Sequence, residues 1–120
     1  MSENGLKIVE MVVKAADDKK AQDIMVLNMQ GISILADYFV VMHGNSDRQV
    51  GAIVDGIVGA AEENGVEIRK VEGQKGGDWL LIDLIDVVVH VFQHETRSFY
   101  NLEKLWADAE LVNIADWVTE

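Results

Sequence analysis

Residues 37–50 read Asp-Tyr-Phe-Val-Val-Met-His-Gly-Asn-Ser-Asp-Arg-Gln-Val. The first half, Asp37 to His43, is almost wholly apolar and is β-branched or aromatic. A strand with apolar residues on both faces is a central strand covered on both sides. Gly44-Asn45-Ser46 then stops it. Ser46, with Gln49 three residues later, forms a capping box, and Asp47 lies in the first turn where the helix dipole favours an anion. Val50, Ile53, Val54, Ile57, Val58 and Ala61 follow as one apolar stripe at helical spacing. Gly51, Gly56 and Gly59 weaken the intrinsic helix by about 1 kcal/mol each relative to Ala, so packing must hold it. Asn64-Gly65 is its C-terminal stop.

Working outward, Leu6, Val9, Val13 and Ala16 mark an earlier helix, with Ser2 or Asn4 as its N-cap and Asp17 to Lys20 as its end. Gln22 to Met29 reads as a short strand, and Gln30-Gly31 with Ser33 as a turn. Val66 to Val71 alternates as a short, polar strand near an edge. Gly73 to Gly77 is a flexible connection. Trp79 to Ile85 and Val87 to Gln93 form a tight hairpin around Asp86. Thr96 or Ser98 caps a last helix with Phe99, Leu102, Leu105 and Trp106 on its apolar face. The tail has Leu111, Ile114, Ala115 and Val118 at the spacing of a further short docked helix. The order α-β-β-α-β-β-β-α predicts an α/β (α+β) fold, a mixed five-stranded sheet flanked by helices.

The chain has 120 residues, enough for one domain with a real core. It contains no cysteine, which excludes disulfides, thiolate nucleophiles and Cys-ligated zinc. No apolar run reaches the roughly 20 residues of a membrane span. Met1 is followed by Ser-Glu-Asn-Gly, unlike a signal peptide. The expectation is a soluble cytoplasmic protein without a membrane partner.

The formal net charge is −11. It is uneven: residues 78–120 hold 9 acids against Arg97 and Lys104. Phosphate backbones need clustered cations, so sequence-specific nucleic-acid binding is not expected. Such acidity keeps a small domain in solution, and it also suits docking to a basic protein.

The motifs of catalysis are largely missing. His43, His90 and His94 match no metal-ligand spacing. Gly73 to Gly77 precedes a strand, where a phosphate cradle must precede a helix. His43-Gly44-Asn45-Ser46 does run from strand into helix, as in nucleotidyltransferases. Those enzymes also need paired strand carboxylates for two metal ions. Glu67 and Glu72 sit at odd spacing and so on opposite faces. Asp83 and Asp86 flank the hairpin turn without a nucleophile and base, and Ser33, Ser46 and Ser98 lie in no nucleophile elbow. No catalytic residue, metal or cofactor is assigned. A nucleotide-binding enzyme on this fold remains the rival reading, and a dimerisation module a third.

One surface stands out. Alternation places Leu80 and Ile82 toward the core, and Trp79, Leu81 and Asp83 on the opposite face. An aromatic and an aliphatic beside an acid is a composition common at protein interfaces. The alternative is that the last helix covers Trp79 and makes it core.

Several motifs occur in order: Ala36-Asp37-Tyr38-Phe39-Val40-Val41, Gly44-x-Ser46-x-Arg48-Gln49-Val50, Glu72-Gly73, Trp79-x-Leu81-x-Asp83, Asp86-Val87-Val88-Val89-His90-x-Phe92, and Arg97-x-Phe99-Tyr100-x-Leu102-Glu103-x-Leu105-Trp106. Together they closely resemble the ribosomal silencing factor (Iojap) family, from about Leu6 to Asp108. The resemblance implies a nucleotidyltransferase-like sheet without the catalytic carboxylates. It implies binding to the large ribosomal subunit through ribosomal protein number fourteen. There, members block joining of the small subunit and repress translation when nutrients are scarce. Organellar members act in ribosome biogenesis, and members form homodimers. The resemblance also turns the acidity of the last third toward a docking surface for a basic protein. It makes Trp79 and Leu81 the apolar anchors and Asp83 and Asp86 the charge partners, with His90 and Tyr100 as further contacts. Residues 1–108 form the family domain, and 109–120 a tail beyond it. One departure matters: the family usually has Gly where this chain has Ile85. A β-branched residue suits φ > 0 poorly, so the turn must change type or carry strain.

Overall fold

The computed structural model describes residues 2–34, 36–73, 79–94 and 109–118. It contains α1 (Ser2–Asp18), β1 (Gln22–Asn28), β2 (Tyr38–Gly44), α2 (Asp47–Glu63), β3 (Lys70–Glu72), β4 (Trp79–Asp83), β5 (Val87–Gln93) and β6 (Glu110–Leu111). The strands form one sheet in the order β3-β4-β5-β2-β1-β6. Only β2 and β5 run parallel; every other neighbouring pair is antiparallel. The fold is therefore mixed α/β (α+β), with six strands among the described residues where five were expected. The sixth comes from the tail: Glu110 and Leu111 pair with Asn28 and Leu27.

All seven residues of β2 are buried, as a central strand requires. Its parallel partner β5 lies alongside in the register Val40↔Val89 and Val41↔His90. The main core lies between the sheet and the two helices. It joins Val40, Met42, Leu80, Ile82, Val87, Val89 and Val91 from the strands to Val9, Val13, Ile53 and Ile57 from the helices. Burying an Ile of this kind contributes roughly 1.5–3 kcal/mol. Leu6, expected in the stripe of α1, is 38 % exposed, and Ile8 and Val12 are buried instead. The helix begins at Ser2, so Asn4 lies within it and does not cap it.

The start of α2 follows the sequence closely. Ser46 Oγ accepts the Gln49 N–H at 3.1 Å. The Gln49 side chain returns one residue earlier than a capping box does, with Oε1 accepting the Asn45 N–H at 2.7 Å. Its Nε2 donates to the Lys20 carbonyl at 2.9 Å, which ties the end of α1 to the start of α2. Both helices end the same way. After α1, Ala21 N–H reaches the Ala16 carbonyl at 3.0 Å, and Lys20 N–H reaches Asp17 at 2.9 Å. After α2, Val66 N–H reaches Ala61 at 2.8 Å, and Gly65 N–H reaches Glu62 at 3.3 Å. The residue at the bend is Lys20 in one case and Gly65 in the other, with φ of 65° and 69°.

The edge strand starts later than the pattern suggests, at Lys70 instead of Val66. The tail docks, and its short helix is of the 3-10 kind. After β6 it makes a 3-10 turn, Ala115–Trp117, that lies against α1. Val112, Ile114, Trp117 and Val118 are half-buried against the main core, while Leu111 is 61 % exposed. The expected last helix around Phe99 to Trp106 lies outside the described residues. Among the described residues, no helix is long and apolar enough to cross a membrane.

Candidate functional face of the hairpin

The β4–β5 hairpin lies between the edge strand β3 and the central strand β2. Alternation sends its side chains to two different environments. Leu80 and Ile82 enter the helix-covered core, as the sequence indicates. Trp79, Leu81 and Asp83 point to the opposite face, where antiparallel pairing sets them beside Phe92, His90 and Val88. A second cluster occupies that face: Leu27, Met29, Ala36, Phe39, Val41, Phe92 and Ala109, with Trp79 and Val88 packed against it.

The rings on this face form a connected group. Trp79 stacks on Phe92 with centroids 5.2 Å apart and planes 27° from parallel. His90 lies 5.0 Å from Phe39 and 5.7 Å from Trp79. The indole Nε1–H of Trp79 donates to His90 Nδ1 at 3.2 Å. His90 is 4 % exposed, and burial pushes its pKa from the ordinary 6.5 down to about 4. Its ring is therefore neutral near pH 7. At the far end of β5, His94 packs edge-on to His43 at 4.8 Å, and Gln93 Nε2 donates to Asp47 Oδ1. Among the described residues, no three His, Cys, Asp or Glu gather as a metal site.

Trp79 and Leu81 are half-buried. Glu72 and Gly73 join them in lining a pocket of about 210 Å³. Gly73 has φ 108°, and a Cβ there would come within 2.6 Å of both the Trp79 carbonyl and Leu80. Glycine is the residue that lets the chain leave β3 this close to β4.

Asp83 does not behave as a solvated turn carboxylate. It is 6 % exposed. Its Oδ1 accepts the Ile85 N–H at 2.8 Å, and its Oδ2 accepts from Arg69 Nε at 3.2 Å. A cation of the same chain thus already accompanies its charge. The turn keeps the unfavourable backbone: Ile85 has φ 76°, and Asp86 N–H closes a three-residue turn onto the Leu84 carbonyl at 3.0 Å. A left-handed conformation costs a non-glycine residue about 1–2 kcal/mol. Asp83 holds Ile85 in it. Asp86 is half-buried, and its carbonyl accepts from Asp37 and Tyr38 at 2.8 and 3.2 Å, carrying the β5 pairing onto β2.

The fold thus gathers Trp79, Leu81, Asp83 and His90 on one face, with Asp86 at the turn. Tyr100 lies outside the described residues. Three participants escape a reading by sequence: Arg69, Phe39 and Phe92. Alternation along β5 is the signal for Phe92, two residues from His90. Nothing local signals Arg69, which meets Asp83 only through the β3–β4 pairing.

A family model described as "Ribosomal silencing factor during starvation" matches residues 2–120. The chain is 52 % identical over 111 residues to the ribosomal silencing factor RsfS of Bacillus subtilis, covering 92 % of this chain and 94 % of that one. A crystal structure from Bacillus halodurans superposes with a TM-score of 0.80 at 47 % identity, over 90 % of this chain and 98 % of that one. A mouse protein named mitochondrial assembly of ribosomal large subunit protein 1 is 34 % identical over 116 residues, covering 89 % of this chain and 50 % of its own length.

Proposed function

The chain belongs to the ribosomal silencing factor family, and on that premise we propose that it binds the large ribosomal subunit and silences translation. The observation that carries this reading is the near full-length match, at 52 % identity, to a protein named ribosomal silencing factor. The proposed contact is ribosomal protein number fourteen, and the proposed effect is a steric block to subunit joining. This mode of action needs space to be occupied and no reaction, so no residue is given a catalytic role.

Trp79 and Leu81 are the proposed apolar anchors. Both are half-buried on β4, where Trp79 joins the rings of β2 and β5. Aromatic anchors of this kind dominate interface energetics. Asp86 is a proposed charge partner for a basic protein, and Tyr100 a proposed contact. Asp83 serves this face from within, by holding the turn and Arg69. Complementary charge speeds encounter and discourages wrong partners more than it adds affinity. The 9 acids against 2 bases after Gly77 fit that role.

Sucrose-gradient sedimentation with separated subunits tests the reading. The protein should travel with the large subunit, and fewer joined ribosomes should form. Migration only at the top of the gradient would sink it. Trp79→Ala should weaken subunit binding by more than about 1 kcal/mol, at least fivefold. Unchanged binding by a folded variant would remove Trp79 from the interface. The name of the mouse relative favours a second reading, a part in assembling the large subunit. Accumulation of large-subunit precursors in cells lacking the protein distinguishes it from a block acting on finished subunits alone. Titration with ATP or GTP and Mg²⁺ addresses the enzyme alternative, which saturable micromolar binding would revive.

A further inference from the structure

His90 is set deep on the ring-lined face. Its register neighbours are Leu81 on β4 and Val41 on β2, and its ring neighbours include Phe39, Trp79 and Phe92. A polar ring in such surroundings needs partners for both nitrogens. It has one for Nδ1, the indole N–H of Trp79 at 3.2 Å. A neutral imidazole carries its proton on one nitrogen and accepts at the other. Acceptance at Nδ1 therefore puts the proton on Nε2. That Nε2 is buried and has no hydrogen-bond partner among the described residues.

A phenylalanine or leucine at position 90 would fill the same space without an unpaired donor. The imidazole does one thing they cannot, which is to accept from Trp79. Trp79 is half-buried, and its ring has a fixed base: Phe92 under one face and His90 at the N–H edge. Both contacts restrict the ring before any partner arrives.

We infer that His90 is a positioning residue and not a partner contact: it fixes the Trp79 indole in its docking orientation from within the sheet. The role rests on the docking reading above. Two consequences follow. The ordering of Trp79 is completed at folding, so less side-chain entropy is lost on association. The indole N–H is already donated, so the partner needs no acceptor there. Aliphatic stems of Lys or Arg from a basic protein suit an indole, by apolar contact and by cation–π attraction. Burial keeps His90 neutral near pH 7, so Nδ1 is available as an acceptor under those conditions.

The test uses the full chain and isolated large subunits. In the wild-type protein, imidazole ¹⁵N shifts should report the neutral Nε2–H tautomer of His90. The Trp79 indole resonance is assigned by its loss in Trp79→Phe. In His90→Phe it should move, and subunit binding should weaken about three- to tenfold, the loss expected for one neutral hydrogen bond. His90→Gln keeps an acceptor and should restore binding to within about twofold. A wild-type His90 protonated on Nδ1, or an indole resonance unmoved by His90→Phe, would overturn the inference without any binding measurement. Binding unchanged in His90→Phe, with the indole moved and Trp79→Ala still defective, would overturn the positioning role alone. Wild-type binding by Trp79→Ala would instead bring down the docking reading on which the role depends.

Discussion

The two faces of the sheet are built from different chemistry by the same strands. Toward the helices, β2, β4 and β5 present Val40, Met42, Leu80, Ile82, Val87, Val89 and Val91. Tyr38 lies on the same side with its phenol; these others have no hydrogen-bonding side-chain group, and packing decides what fits. Toward the other side the same strands present Phe39, Trp79, Asp83, His90 and Phe92. Here burial must be reconciled with an indole N–H, a carboxylate and an imidazole. Asp83 finds both its partners, whereas His90 finds one. A buried donor left without a partner costs about 1–3 kcal/mol. Local rules broken in this way concentrate at functional sites. Adjacent residues can thus belong to different problems: Ile82 holds the fold, and Asp83 shapes the face proposed to dock.

The largest expected effect separates the two faces. Ile57 is fully buried on the sheet-facing side of α2. Ile57→Ala should destabilise the protein by about 2–5 kcal/mol, from lost transfer energy and the cavity left behind. Urea unfolding reads this as a lower midpoint at unchanged slope. Large-subunit binding by the folded fraction should stay as in the wild type. A variant that kept its stability and lost binding would show that the helix side is part of the docking apparatus.

Acid attacks the opposite side. His90 has a pKa of about 4 in the folded protein, below the ordinary 6.5 it regains on unfolding. Between these values the unfolded chain binds more protons, so stability rises with pH. The contribution is complete above about pH 6.5 and is lost as pH falls toward about 4. From about pH 7 to about pH 5 the loss should be about 2 kcal/mol, a window in which ordinary carboxylates stay largely ionised. His90→Gln should flatten most of that dependence in paired urea titrations. Equal pH dependence in both proteins would show that another group is responsible.

The same contrast explains what could be read from the sequence. The β2 strand and the start of α2 were legible because their signals are local: an unbroken apolar run, a capping serine and a stripe at helical spacing. The assignment of Leu80 and Ile82 to the core was legible from alternation. Features made by distant partners were not. Asp83 reads as a charge partner for another protein until the β3–β4 pairing brings Arg69 to it from 14 residues away. The edge strand begins late because Val66 is already bonded to Ala61 at the end of α2. In the tail, Leu111, Ile114 and Val118 fit helical spacing, but so short an apolar run is ambiguous. Pairing with Leu27 decides it, placing Leu111 in a strand and leaving it largely exposed. On α1, packing against the rest of the core selected Ile8 and Val12 over Leu6.

The smallest expected effect lies at the rim of the helix side, where α1 and α2 end in the same pair of backbone bonds. Gly65 makes the bend after α2 and Lys20 the bend after α1, both at positive φ. A left-handed residue with a Cβ carries strain that glycine avoids, although glycine loses more backbone freedom on folding. Lys20 is exposed, so its side chain contributes little packing. Its carbonyl, which accepts from Gln49, would survive substitution. Lys20→Gly should therefore raise stability by about 0.5–1 kcal/mol. A higher urea midpoint with unchanged subunit binding is the expected result. A lower midpoint would mean that the bend stores no relievable strain. Altered binding would extend the functional face around the edge of the sheet, and the division between its two sides would fail there.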